Sequence, residues 1–112
     1  MRHAVALLFA IALAANPQMG YKSPLLLYKV EPEYTSEALQ ARLEGNVLLR
    51  AVIGLDGKAD KIRVIKPLGR GLDDKAIACV RRWRFRPAIK ANGKPEAVWE
   101  NITVEFRLAD SK

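Results

Sequence analysis

Arginines and aromatics alternate through Arg81-Arg82-Trp83-Arg84-Phe85-Arg86-Pro87-Ala88, the densest cluster of chemically capable side chains in the sequence. Guanidinium groups meet phosphates and aromatic rings stack on bases, so this chemistry fits a nucleic-acid surface. It also fits a structural seam, with Trp83 and Phe85 turned into a core and Arg82, Arg84 and Arg86 in water. Large aromatics are mostly buried, which favours the seam. The only adjacent carboxylates, Asp73 and Asp74, sit where a helix begins, and the helix dipole favours anions there. Cys79 is the single cysteine and His3 the single histidine. No intrachain disulfide can form, and the usual zinc ligand sets are out of reach. Cys79 reads as a small buried hydrophobe, with no histidine in the body of the chain to activate it. No Ser/His/Asp set or glycine-rich phosphate loop occurs. The expectation is therefore no catalytic residue, no metal and no cofactor.

These residues sit in a chain of 112, enough for one small domain, with a formal net charge of +7. Such a charge suits anionic partners, whether acidic protein segments or lipid headgroups. The chain opens with the basic lead Met1-Arg2-His3 and an unbroken apolar run from Ala4 to Ala15, followed by Asn16-Pro17. That pattern predicts a secretory signal peptide over 1–14, cleaved after the Ala12-Leu13-Ala14 site. The run is shorter than the ~20 residues of a spanning helix. An uncleaved anchor over 4–15 is the alternative.

Residues 15–30 read as a linker broken by Pro17, Gly20 and Pro24. Within it, Leu25-Leu26-Leu27-Tyr28 is apolar enough for a short strand or strap. Thr35 or Ser36 can cap a helix carrying Ala38, Leu39 and Leu43, with Gly45 as its stop. Asn46 to Ile53 alternates as a strand, Gly54-Leu55-Asp56-Gly57 is a hairpin turn, and Lys58 to Lys66 returns with Ile62 and Val64 inward. Leu72, Ala76, Cys79 or Val80, and Trp83 predict a helix over 72–83. Asn92-Gly93 and Pro95 form a turn. The last strand runs from Ala97 to Leu108, with Ile102, Val104, Phe106 and Leu108 on one face. The fold class is α+β: a small antiparallel sheet with two helices packed on one face, as a domain over 31–108 with a tail over 109–112.

In this order and spacing, Glu31-Pro32-Glu33-Tyr34, Gly45-Asn46-Val47, Asp56-Gly57, Leu72-Asp73 with Ala76, Trp83-Arg84-Phe85-Arg86-Pro87-Ala88, Gly93-Lys94-Pro95 and Phe106-Arg107-Leu108 resemble the C-terminal domain of the TonB family. The resemblance implies a binding module of the Gram-negative periplasm. It implies capture of a short TonB-box peptide from an outer-membrane receptor, added as a strand to the sheet edge. By resemblance, the receiving edge is the last strand, Val98, Trp99, Glu100, Asn101, Ile102, Thr103, Val104, Glu105 and Phe106. Glu31, Pro32, Glu33 and Tyr34 form the second contact region. Thr35 stands where many relatives carry proline, and Glu31 where some carry glutamine.

Full transducers also have a membrane helix and a long proline-rich spacer. Asn16 to Val30 reaches at most about 50 Å when extended. The expectation is a stand-alone secreted domain that engages receptor peptides in transmembrane transport, without nucleic acid or a small-molecule substrate. The same edge could pair with another copy as a homodimer. The other reading is an envelope protein that binds peptidoglycan or another periplasmic partner.

Overall fold

The computed structural model describes residues 20–109. The expected signal peptide over 1–14, the start of the linker and most of the tail lie outside those residues. Seven strands and two helices follow in the order β1 (Leu25–Tyr28), α1 (Ser36–Gln40), β2 (Gly45–Ile53), β3 (Ala59–Lys66), α2 (Leu72–Arg81), β4 (Arg84–Arg86), β5 (Ala88–Ile89), β6 (Pro95–Glu96) and β7 (Val98–Phe106).

The main sheet is antiparallel, in the order β3-β2-β7. Its central strand β2 alternates as the sequence predicts. Val47, Leu49, Ala51 and Ile53 are fully buried, and Ile102, Val104 and Phe106 of β7 share their face. Ala38 of α1 and Leu72, Ala76, Cys79 and Val80 of α2 pack onto that face in one core. Among the described residues the opposite face carries no helix. Burying the valines, leucines, isoleucines and Phe106 of this core contributes on the order of 1.5–3 kcal/mol each.

Thr35 caps α1: its Oγ1 accepts from the Ala38 amide at 3.1 Å and donates to the Arg70 carbonyl at 2.6 Å. The helix stops at Gln40, and Arg42 rather than Gly45 takes the left-handed conformation after it, with φ 52°. Gly45 instead opens β2. In α2 the predicted end was Trp83, but the helix closes at Arg81. Trp83 and Phe85 turn into the core while Arg82 and Arg84 stay exposed, as the seam reading expects, but Arg86 is half-buried and donates to the Ser23 carbonyl at 2.6 Å. The chain then continues as β4, which pairs with β1.

β3 departs from expectation. Val64 lies opposite Leu49 but is 36% exposed, and Ile62 is only partly buried. Two register shifts against β2 and a positive φ of 52° at Lys61 interrupt the alternation of this strand, although α2 still packs against it. The β2–β3 turn closes through Gly57 N–H to the Gly54 carbonyl at 3.0 Å. Gly57 has φ 81°, its carbonyl accepts from the Phe85 amide at 2.8 Å, and a Cβ there would collide with the Phe85 carbonyl oxygen. Glycine is needed for both the conformation and the close approach.

Candidate functional site

β7 pairs with β2 through nine successive residues, Val98 to Phe106, without a register shift. Its other edge carries no strand among the described residues. A groove runs beside that edge. At one end, Pro24 and Leu26 face Glu100 to Thr103 across a floor made by Trp83 and Phe85. In the middle, Lys29, Glu31 and Pro32 face Thr103, Val104 and Glu105 around a cavity of about 360 Å³. At the far end, Glu31, Pro32 and Tyr34 face Glu105, Phe106 and Arg107.

The outer wall is held at one atom. The Val30 carbonyl accepts from Trp83 Nε1 at 3.0 Å and from Cys79 Sγ at 3.1 Å. Two donors from the α2 end thus fix the chain just before the Glu31–Tyr34 segment. Burial pushes the Cys79 thiol above its ordinary pKa, partly offset by the side-chain contact with Trp83. It is a buried hydrogen-bond donor here, and its burial disfavours the thiolate. Tyr34 fastens the other end of the wall. Its hydroxyl donates to the Leu43 carbonyl at 2.7 Å, and its ring meets Phe106 edge-on with centroids 5.5 Å apart. Burial, with Glu44 nearby, raises its pKa.

Three of the four residues expected as the second contact region, Glu31, Pro32 and Tyr34, therefore line the groove opposite β7. Glu33 turns the other way, to Lys75 at 3.4 Å in an exposed pair of little energetic weight. Within β7 the expected residues divide by face. Ile102, Val104 and Phe106 are core. Trp99, Asn101, Thr103 and Glu105 point to the helix-free face, in line with Val52, Arg50, Leu48 and Asn46 of β2. Val98 and Glu100 are half-buried. What the edge offers a partner is its backbone, with alternate N–H and C=O groups turned away from β2. The groove adds apolar walls at one end and mixed charge from Lys29, Glu31, Glu105 and Arg107 along the rest.

Sequence reasoning did not assign Pro24, Leu26, Lys29, Trp83, Phe85 or Arg107 to this groove. The run Leu25–Tyr28 was the available signal, an apolar segment flanked by breakers with no period of its own. Asp73 is occupied structurally, its carboxylate accepting from the Leu68 and Gly69 amides at 2.7 and 3.2 Å. Among the described residues no group of three His, Cys, Asp or Glu is arranged to hold a metal ion.

The C-terminal family of the Gram-negative bacterial TonB protein matches residues 30–108. Protein tonB2 of Pseudomonas aeruginosa is 39% identical over 83 residues, which is 73% of this chain and 30% of that protein. Protein TonB of Klebsiella pneumoniae is 27% identical over 97 residues, 85% of this chain and 37% of that protein. The chain thus spans about a third of the length of these curated relatives. The solution NMR structure of Pseudomonas aeruginosa TonB CTD superimposes with a TM-score of 0.62 at 25% identity, covering 84% of this chain and 92% of that one. The match takes in the core, the β7 edge and the Glu31–Tyr34 wall, and this chain belongs to the TonB C-terminal family of Gram-negative bacteria.

Proposed function

We propose that the domain is a peptide-binding module that takes an extended segment as an added strand on the free edge of β7. The carrying observation is a nine-residue strand whose outer edge is unpaired among the described residues and is faced from Glu100 to Phe106 by a wall pinned at Val30 and Tyr34. Backbone hydrogen bonds supply affinity in such a mode, and the pockets between wall and strand select side chains. Family membership supports the ligand class: the TonB-box segment of an outer-membrane receptor, within TonB-type transmembrane transport. The apolar run Ala4 to Ala15, read as a secretory signal, would deliver the module to the periplasm.

The test is an NMR titration of the protein with receptor-derived extended peptides. Amide shifts should concentrate in Val98–Phe106 and Glu31–Tyr34. Proline at Thr103 or Glu105, whichever has its N–H turned away from β2, should abolish binding while the resonances of Trp83 and other core residues persist. Shifts absent from β7 with every peptide would sink the proposal. Saturation of the same edge by a second copy, seen as a concentration-dependent dimer, would replace it with self-association.

A further inference from the structure

The helix-free face of the main sheet holds a cationic arrangement that peptide capture on the β7 edge does not use. Trp99 is 39% exposed there, and the guanidiniums of Arg50 and Arg63 each lie 5.4 Å from its ring centroid. The three residues come from three strands. Arg50 stands opposite Arg63 on β3 and opposite Asn101 on β7, and its NH1 donates to Asn101 Oδ1 at 3.0 Å. Among the described residues neither guanidinium has a carboxylate partner. Stacked against the indole, both are oriented while most of their N–H groups stay available. Lys66, opposite Leu48, extends the positive charge along the same face, and Lys61 and Ile65 are exposed beside it, Ile65 at 51%. The single acid on β3, Asp60, accepts from the Lys61 amide at 2.8 Å.

We propose that this face docks the domain on an anionic phospholipid surface, with Arg50, Arg63 and Lys66 meeting headgroup phosphates and Trp99 and Ile65 entering the interfacial layer. Three features favour a lipid surface over an acidic protein segment. The cations run from Lys61 to Lys66 on β3, roughly 17 Å at the usual rise, and across to Arg50 on β2, which suits several phosphates rather than one ligand. With two guanidiniums lying against its ring, Trp99 remains 39% exposed, and indoles sit well at the headgroup level. The adjacent β3 edge is broken by two register shifts, which spoils it for adding a peptide strand.

The experiment measures partitioning of the full chain onto phosphatidylglycerol-containing vesicles against pure phosphatidylcholine vesicles. The difference between the two lipids isolates the charge-dependent part from any contribution of the apolar N-terminal run. Arg50→Gln with Arg63→Gln should lower the phosphatidylglycerol preference about twenty-five-fold, taking roughly fivefold per basic residue at an anionic surface. Arg81→Gln with Arg82→Gln removes the same charge from the exposed end of α2 and should lower it far less. Trp99 emission should shift to shorter wavelength only with phosphatidylglycerol, a change absent in Trp99→Phe; buried Trp83 contributes a constant signal. Lys66→Gln, which leaves the Trp99 cluster intact, should give a smaller loss in the same direction. An equal loss in both arginine pairs would make the effect one of net charge and overturn the proposal. So would the absence of a lipid preference, or binding of acidic polypeptide in place of vesicles.

Discussion

β3 and β7 flank the same central strand and differ in nearly every respect. β7 pairs in unbroken register, buries Ile102, Val104 and Phe106, and has an open outer edge beside a walled groove. β3 slips register twice, buries only Ala59, and is lined with Lys61, Arg63 and Lys66. The contrast shows how a three-stranded sheet can present one edge and withhold the other. Regular geometry keeps backbone groups aligned for an added strand on β7, while bulges and charge discourage pairing on β3. The cost falls on β3, which gives up most of its share of the core.

The contrast is most easily broken by stability measurements. Phe106→Ala should cost about 3–5 kcal/mol in denaturant unfolding, since it empties a fully buried site against Tyr34. Val64→Ala on β3 should stay within about 0.5 kcal/mol, as exposed substitutions do. Equal costs would mean that both strands anchor the core. A middle-sized effect is expected at the turn that joins β3 to the sheet. Gly57→Ala should cost about 1–3 kcal/mol through its positive φ and its collision with Phe85. A near-neutral result would detach β4 from the hairpin. The smallest effect should come from Tyr34→Phe, about 1 kcal/mol for one hydrogen bond to the Leu43 carbonyl. Its sharper readout is weaker peptide binding on β7 with the β3 resonances unchanged.

Sequence reasoning found what has a period. β2 and β7 alternate over nine residues each, and every inward position predicted for β2 is buried. α2 was legible from Leu72, Ala76 and Val80, but its end was not. Trp83 continues the helical spacing while its backbone has already left for β4. The β1–β4 and β5–β6 pairs were beyond reach because strands of two to four residues carry no detectable alternation. β3 was legible only in part: Ile62 packs against the core as its spacing suggests, but Val64, opposite Leu49, stays 36% exposed, and the register shifts that interrupt the strand depend on its pairing with β2. The β7 edge with Glu31, Pro32 and Tyr34 entered through family resemblance, and the groove brings them together. The Trp99 cluster required the register of three strands and could not be read from any one of them.

Surface turns are where protein chains usually grow, acquiring extra residues with little effect on the fold. The β2–β3 turn is closed to such growth, because Gly57 lies directly against the backbone of β4. The turn at Asn92–Gly93 has open space around its glycine. Lengthened relatives, affinity tags and reporter insertions should therefore be accommodated between β5 and β6, and not at the tip of the main hairpin.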